Sequence, residues 1–402
     1  MLPLPVNENT MKIAFIGQKG IPVQFGGVER RVEELSTRMV QMGHDVFVYT
    51  RNNYTSKNIQ EYKGVKLIHL PSIPTKNLCA ISHTFLATWH AIFQGYDVIH
   101  YQAPGPSSLC WLIKIFRPQT ALVATFNSRD SQHQKWGRLA KAYLNWGEKI
   151  IVTVPDKTIV VSQILKEYAQ KKYNKETIVI NNGSAVIKKP GNYEEIKRWG
   201  LENRRYFITV SRLVRHKGVH YLIEAFSNLQ KIGKIPADFK LVIVGDSAFT
   251  DDYVKYLKDL SQKNANIVFT GNQNGLSLAR LYSCAYTFVQ PSEAEGLSNS
   301  LLEAMGYGLA PIVSDIKENL LPVGDTGIIF QSKNIKDLEE KLIFSLEKKN
   351  LLLDLGKKAR NRVTFLYDWD RNVLETLALY RRIITQKRKN LNLIKQELPV
   401  SF

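Results

Sequence analysis

The sequence predicts an α/β protein built from two successive doubly wound domains, each a mostly parallel sheet with helices on both faces. Three observations lead to this prediction. Short apolar runs alternate with helical stretches along the chain, a pattern typical of parallel sheets. The alternation breaks after residue 180 and restarts near residue 205. The length of 402 residues is too great for one ordinary core and suits two domains.

The first predicted domain, residues 11–188, opens on a buried strand over Met11–Gly17 that ends in glycine. Gly27–Met42 has the apolar periodicity of a helix, and Gly43 ends it. Further strands are predicted from apolar and β-branched runs at 45–50, 65–70, 97–100, 121–126, 157–161 and 177–180. Asn181–Gly183 then breaks the pattern, and Lys188–Gly191 predicts a hinge.

The second predicted domain, residues 189–370, repeats the same alternation. Its strands are predicted at 206–210, 240–245, 266–270, 286–290 and 310–314. Its helices are predicted at 218–229, 251–263, 276–282 and 301–306. Residues 371–402 form a tail with a helical pattern, which could pack back on the first domain.

Composition narrows the class of protein. The chain has 55 Lys and Arg against 36 Asp and Glu, a net charge of +19, which suits a nucleic acid, an acidic membrane face or a phosphorylated substrate. Charge alone does not choose among them. The three cysteines show neither a CxxC pair nor metal-ligand spacing, so we expect no metal site and no disulfide. Neither a secretory signal nor a membrane-spanning run is found, which predicts a cytoplasmic protein.

The turn after the first strand, from Gly17 to Gly27, is rich in glycine and precedes a helix. Free backbone N–H groups and a positive helix end at such a turn suit a phosphate. The glycines do not follow the GxGxxG spacing, and Thr50–Asn52 stands where a ribose-binding acid would follow the next strand. These two departures argue against a dinucleotide-dependent dehydrogenase.

Two cations, Arg212 and Lys217, follow a predicted strand and precede a helix. Arg offers a bidentate fork and Lys a point charge, so together they suit a diphosphate. A second stretch, Gln290–Met305, also opens at the carboxyl end of a buried strand, where ligands of open α/β sheets bind. It carries Glu295 beside a glycine, and then Glu303 among apolar neighbours, where ligand hydroxyls would supply hydrogen bonds. Paired carboxylates also suit a glycoside hydrolase, but the cations favour an anionic leaving group.

These stretches resemble the Glu-x(7)-Glu motif and the upstream Ser-Arg-Leu…Lys-Gly segment of retaining GT-B glycosyltransferases, notably family 4. The resemblance covers roughly residues 11–380, and it includes the opening KIAFIGQKGIP…GGVER loop. It implies two Rossmann-like domains facing each other across a cleft. The first half, through GVERRVEEL and KWGRLAKAYLNWGEK, is most similar to the subgroup that includes bacterial rhamnosyltransferases.

The resemblance also implies roles for individual residues. Arg212 and Lys217 would hold the diphosphate of a nucleotide-sugar donor, and Glu295 would contact the transferring sugar. Glu303 would bind the ribose hydroxyls. The backbone of Gly296, Leu297 and Ser298 would lie beside the sugar, and Gly26 and Gly27 would close onto the diphosphate and the acceptor. Such enzymes retain anomeric configuration and need neither a metal nor a bound cofactor.

The acceptor side is less well defined by sequence. Relatives often carry His or an acid where Asn127 stands, and Asn can position a sugar but exchanges no proton near neutral pH. His100 lies at the cleft edge in the resemblance. Ser128–Lys149 interleaves cations with aromatic residues, which suits an anionic membrane or a lipid-linked acceptor. A nucleotide-sugar epimerase and a non-catalytic sugar-nucleotide or membrane binder stay as alternatives, whereas no nucleic acid partner is expected.

Overall fold

A computed structural model describes residues 10–75, 78–129, 137–184, 186, 193–248 and 250–397. The chain divides into two compact units. The first takes residues up to 23, 27–181 and everything from 369 onward, and the second takes residues 24–26 and 182–368. Each unit contains its own sheet, which agrees with the predicted α/β class.

The first unit is built on an eight-stranded sheet in the order β3-β4-β2-β1-β5-β6-β7-β8. Its strands pair in parallel apart from β3 and β4, which are antiparallel. The strands are β1 (Lys12–Ile16), β2 (Asp45–Arg51), β3 (Glu61–Tyr62), β4 (Val65–Leu70), β5 (Val98–Gln102), β6 (Ala121–Phe126), β7 (Lys157–Val160) and β8 (Ile178–Val179). The short β3 was not predicted, because two residues carry no usable periodicity.

The helices of the first unit cover both faces of this sheet. They are α1 (Gly27–Gln41), α2 (Cys79–Ile92), α3 (Pro104–Ser107), α4 (Trp111–Phe116), α5 (Arg138–Thr153) and α6 (Gln163–Tyr173). The predicted helix at 27–42 is therefore confirmed almost to the residue. Apolar side chains in β1, β5 and β6 are fully buried, as expected for strands of a parallel sheet with helices on both sides.

The second unit is built on a six-stranded parallel sheet in the order β11-β10-β9-β12-β13-β14. The strands are β9 (Tyr206–Val210), β10 (Lys240–Val244), β11 (Ile267–Gly271), β12 (Thr287–Gln290), β13 (Pro311–Ser314) and β14 (Ile328–Phe330). Between and after them lie α7 (Val219–Lys231), α8 (Asp251–Ser261), α9 (Gly275–Cys284), α10 (Asn299–Gly306), α11 (Lys317–Val323), α12 (Ile335–Glu347) and α13 (Lys349–Leu366). The five predicted strands are confirmed, and β14 is added at the sheet edge.

The division between the units falls at residues 181 and 182, before the predicted boundary at 188 and 189. The physical reason is hydrogen bonding. The Asn182 amide donates to the Leu297 carbonyl, and the Ser184 hydroxyl donates to the Leu302 carbonyl. These bonds attach the chain to the second unit before the predicted hinge.

The last helix, α14 (Trp369–Glu397), is part of the first unit. Arg38 of α1 donates to the Asp370 carboxylate at 2.7 Å, and the Asn372 amide donates to the Asn181 carbonyl at 2.9 Å. Further along, Lys387 donates to the Thr120 carbonyl at 2.9 Å. The helix therefore completes the first unit although it follows the whole of the second unit in sequence.

Candidate active site

The predicted donor residues lie on two neighbouring strands of the second sheet. Strands β9 and β12 pair in parallel, so their carboxyl ends meet at the same edge. Arg212 and Lys217 follow β9, and Glu295 follows β12. The Lys217 ammonium lies 2.6 Å from each oxygen of the Glu295 carboxylate. The structure thus brings together a cation and a carboxylate that are far apart in sequence.

This pair is largely withdrawn from water. The side chain of Lys217 is 14% exposed and that of Glu295 is 6% exposed. The Ser292 hydroxyl donates a further hydrogen bond of 2.7 Å to Glu295. The carboxylate of Glu295 is therefore buried with two hydrogen-bond donors, the Lys217 ammonium and the Ser292 hydroxyl.

Close backbone packing fixes the two loops against each other. Gly218 has a φ of +67°, and a Cβ at this position would lie 2.0 Å from the Pro291 carbonyl oxygen. The Glu293 N–H also donates to the His216 carbonyl at 2.8 Å. Only glycine fits such an approach, because any larger residue would force the strand ends apart.

A buried hydrogen-bond network supports the loop that carries Glu295. The Ser298 hydroxyl donates to Gln290, whose own amide donates to Asn319 on α11. Asn319 donates to the Ser314 hydroxyl, and Ser314 donates to the Ser292 carbonyl. No pattern in the sequence predicts this network, because its members come from three separate segments and form no motif.

The other predicted donor residues occupy the same edge of the second sheet. Ser298 caps α10, since its hydroxyl accepts from the Leu301 N–H. Gly296 and Leu297 lie in the loop before this cap, and Glu303 is buried on α10 at 7% exposure. The Arg212 side chain is exposed and has neither a hydrogen bond nor an ion pair with the residues that the structure describes. The N-terminus of α10 and the Arg212 guanidinium therefore offer donors for an anion.

The glycine-rich turn before α1 is tied to that helix by two carboxylates. Glu29 accepts from the Lys19 N–H at 3.0 Å, and Glu33 accepts from the Val23 N–H at 2.5 Å. Gly26 has a φ of +109°, and Gly27 is the first residue of α1. The acids of the GVERRVEEL segment thus hold the turn. That Gly26 and Gly27 close onto a diphosphate stays a prediction.

His100 corrects the sequence analysis. Its side chain is fully buried on β5, and its two ring nitrogens form hydrogen bonds with Tyr380 at 2.5 Å and Thr125 at 2.6 Å. Burial, and then the charge of Arg31, lower the pKa of His100 well below its usual value. The residue therefore joins β5 to α14 as a neutral core group, and the prediction of a sugar contact is wrong for this conformation. The sequence could not reveal this, since Tyr380 lies far along the chain.

Asn127 and the segment around it are only partly described. Asn127 follows β6, is half-buried, and donates through its amide to the Thr125 carbonyl at 3.2 Å. Of the predicted membrane segment Ser128–Lys149, residues 130–136 lie outside the described residues. In α5, Leu139 is 89% exposed and Trp146 is 45% exposed. A sugar contact at Asn127 and a membrane contact through this segment stay predictions.

A polar cluster surrounds Cys79 at the start of α2. Its thiol lies 3.7 Å from both the Arg51 guanidinium and the Asn53 amide, and 3.5 Å from the Ser72 hydroxyl. Burial alone would raise the pKa of this thiol, but these three neighbours together lower it below the ordinary value. The spacing of the cysteines in the sequence excluded metal and disulfide patterns but gave no sign of this environment.

The described residues contain no group of three or more His, Cys, Asp or Glu side chains able to hold a metal ion. Within the same part of the chain, each helix is too short or too polar to cross a bilayer.

Two family models match the chain. One, described as Glycosyltransferase Family 4, matches residues 25–184, and the other, described as Glycosyl transferases group 1, matches residues 191–362. The two models together span most of the chain, and they support its assignment as a group 1 glycosyltransferase. The second match includes Arg212, Lys217, Glu295 and Glu303, so these predicted donor-binding residues lie inside the matched region.

Relatives that align with most of this chain support the glycosyltransferase assignment. An uncharacterized glycosyltransferase of Methanocaldococcus jannaschii is 22% identical over 389 residues, which span 90% of this chain and 96% of that protein. The alpha-monoglucosyldiacylglycerol synthase of Streptococcus pneumoniae is 23% identical over 311 residues, which span 72% of this chain and 68% of that protein. The crystal structure of Anabaena HepE in complex with UDP and glucose has a TM-score of 0.76 at 18% identity, covering 92% of this chain and all of that one. This likeness shows that the glycosyltransferase has the GT-B fold.

Proposed function

We propose that this glycosyltransferase is a retaining enzyme that moves a sugar from a nucleoside-diphosphate sugar to a saccharide or lipid-linked acceptor in cell-surface polysaccharide synthesis. One observation carries the proposal: Lys217 and Glu295 form a buried pair at 2.6 Å at the carboxyl edge of the second sheet. The bond between a sugar and a phosphate needs a cation at one end and a hydroxyl-binding group at the other. Lys217 supplies the cation and Glu295 supplies the hydroxyl-binding group, and the two side chains are in direct contact.

Each residue of the site has a distinct part in the proposal. Arg212 and Lys217 bind the diphosphate and stabilise the charge that grows on it as the sugar–phosphate bond breaks. Glu295 accepts hydrogen bonds from the sugar hydroxyls, and Glu303 accepts them from the ribose. The N–H groups at the start of α10 add a fixed positive potential beside the phosphate. The reaction proceeds without a metal, because these groups already neutralise the leaving group.

The relatives suggest the class of donor and acceptor. HepE was crystallised with UDP and with UDP-glucose, which favours a uridine nucleotide and a hexose for this chain too. The name of the pneumococcal relative specifies a glycosylated diacylglycerol product, which favours a lipid-linked acceptor. The similarity of the first half to rhamnosyltransferases favours a deoxyhexose donor instead, so the test includes both sugars. We place the reaction in the cytoplasm, where sugar nucleotides are made.

Donor binding is tested by titration calorimetry with UDP, ADP, GDP and dTDP and with their sugar conjugates. Arg212→Ala should weaken binding of the preferred diphosphate about tenfold or more, because it removes a charge-assisted hydrogen bond of at least about 1.5 kcal/mol. Glu303→Ala should weaken nucleosides as well as nucleotides. The matched control is Arg215→Ala, since the guanidinium of Arg215 lies over the Tyr256 ring, 6.0 Å from its centroid. Equal losses in Arg212→Ala and Arg215→Ala would contradict the assigned site.

The reaction type is tested by NMR of the products. A retaining transferase gives a product with the anomeric configuration of the donor, and it gives this product in the presence of EDTA. Turnover of the sugar nucleotide without any acceptor would indicate an epimerase of the same fold. Tight donor binding with no turnover toward any acceptor would indicate a non-catalytic member. Asn127 is the feature that favours this last outcome, and Asn127→His tests whether proton exchange there restores turnover.

A further inference from the structure

Helix α2 has an unusual solvent-facing side. Its fourteen residues, CAISHTFLATWHAI, include neither Asp, Glu, Lys nor Arg. Phe85 is 51% exposed and Trp89 is 50% exposed, and Phe93, directly after the helix, is 68% exposed. The spacing of four residues places all three on one face. A surface helix of a water-soluble unit normally carries charge on that face.

Helix α4 extends this apolar surface. Ile115 is 62% exposed and Phe116 is 52% exposed. The ring of Trp89 lies 6.2 Å from that of Phe116 and 5.7 Å from that of Phe93, both in edge-on geometry. We call Phe85, Trp89, Phe93, Ile115 and Phe116 the aromatic face. With about 200 Å² per aromatic side chain, it presents on the order of 400 Å² of apolar area, the size of the largest apolar patch of a typical monomer, which is often functional.

A basic pocket adjoins the aromatic face. Arg117 follows Phe116 directly, and Gly95 and Tyr96 follow Phe93 closely. These residues line a cavity of about 210 Å³ together with Lys387 and Arg388 of α14. The aromatic face and the pocket are therefore adjacent along the chain at two points of the first unit.

The pocket carries excess positive charge. Lys387 is already paired with the Asp156 carboxylate at 2.6 Å, and the one carboxylate named in the lining, Asp97, accepts from the Lys12 backbone N–H at 2.8 Å. The guanidinium groups of Arg117 and Arg388 make neither a hydrogen bond nor an ion pair with any part of the chain that the structure describes. Two unpaired cations beside exposed aromatic rings suit an anionic headgroup whose acyl chains continue into an apolar layer.

We propose that the aromatic face and the basic pocket together bind the surface of an anionic phospholipid bilayer. Fourteen helical residues span only about 21 Å, so α2 is too short to cross the hydrocarbon and instead lies along the interface. Its rings enter the boundary between headgroups and acyl chains, and Arg117 and Arg388 bind lipid phosphates. The positive charge of the whole chain, +19, adds long-range attraction to such a surface.

The inference supports the proposed function without depending on it. A bilayer-bound first unit would meet a lipid-linked acceptor at the membrane surface. The site differs from the predicted membrane segment Ser128–Lys149, because it uses α2, α4 and α14. Vesicle binding needs neither donor nor acceptor, so the two proposals can fail separately.

The test is co-sedimentation of the full chain with vesicles of phosphatidylcholine containing 30% phosphatidylglycerol. Arg117→Gln with Arg388→Gln should reduce the partition coefficient about fivefold per arginine, the equivalent of about 1 kcal/mol for each charge near the surface. Trp89→Ser with Phe93→Ser should reduce it about tenfold or more, through lost apolar burial. Pure phosphatidylcholine should bind more weakly, and the arginine effect should disappear there.

A matched control substitutes an exposed aromatic and an exposed arginine elsewhere. Phe365→Ser with Arg360→Gln, both on α13 of the second unit, should leave the partition coefficient unchanged. Circular dichroism and nucleotide binding report whether each variant is folded. A single substitution, Trp89→Phe, should keep binding while it removes the fluorescence quenching that brominated lipids cause at this site.

Three results would overturn the inference. The wild-type chain could fail to sediment with the anionic vesicles. The control pair could reduce binding as much as the arginine pair and the aromatic pair do. Light scattering could show a dimer that the Trp89→Ser and Phe93→Ser substitutions abolish, which would assign the aromatic face to a second copy of the chain.

Discussion

Removing Lys217 should expose how strongly the buried pair depends on both partners. In Lys217→Met the side chain keeps a similar volume but loses its charge. Of the two groups that donate to the Glu295 carboxylate, only the Ser292 hydroxyl then remains. Breaking a buried ion pair from one side costs about 3–5 kcal/mol, because a charge is left without compensation. Because the side chain of Glu295 is only 6% exposed, we expect Lys217→Met to lower the free energy of unfolding by at least about 3 kcal/mol.

The loss should be visible as a change in melting temperature. About 3 kcal/mol corresponds to roughly 6–12 °C for a domain of 150–250 residues. Calorimetry of the wild-type chain and of Lys217→Met at pH 8 measures this loss. The double variant Lys217→Met, Glu295→Gln should recover much of the stability lost in the single one.

A surface pair in the same unit provides the control. Lys197 lies 2.6 Å from Glu194, the same distance as in the buried pair, but their side chains are 69% and 63% exposed. Lys197→Met should therefore cost less than about 1 kcal/mol. If Lys217→Met and Lys197→Met melt alike, and the double variant gains nothing, the two loop residues are not coupled and the reasoning fails.

Three further predictions concern other parts of the chain. Asn319→Ala should lower the free energy of unfolding by about 1–3 kcal/mol, because it leaves the Gln290 amide unpaired, and it should weaken donor binding in calorimetry. Burial, followed by Arg51, lowers the pKa of His83 to about 4 from 6.5, so the neutral form is favoured by folding. The contribution of neutral His83 to the free energy of unfolding is therefore fully present above about pH 6.5, and it falls by about 2 kcal/mol on acidification to pH 5. In urea titrations, the free energy of unfolding of His83→Gln should depend less steeply on pH. Iodoacetamide at neutral pH should modify Cys79 before Cys110, because burial raises the pKa of Cys110 to about 12 whereas the pKa of Cys79 is lowered. Peptide mass mapping identifies the modified residue, and modification of Cys110 first would refute this prediction.

The sequence predicted the elements of the fold with little error. Strand β9 and helix α1 agree with prediction almost to the residue, because a buried parallel strand needs an apolar run and an amphipathic helix needs its own period. The position of Arg212, Lys217 and Glu295 at one edge of the second sheet was also predictable, since each lies in the loop after a strand, and the carboxyl ends of parallel strands share one edge. Residues that are close together in the sequence are enough to predict these elements and loop positions.

Other features depend on contacts between distant segments. The pairing of Lys217 with Glu295, the network through Asn319, and the bond between His100 and Tyr380 each join residues from separate elements. The sequence left His100 as a cleft residue, because only the docking of α14 on β5 shows that its ring is enclosed. The elements and their order were therefore predictable from local patterns in the chain. Which side chains meet was visible only in the folded structure, because burial and hydrogen bonding between distant segments follow from packing and leave no periodic signal in the chain.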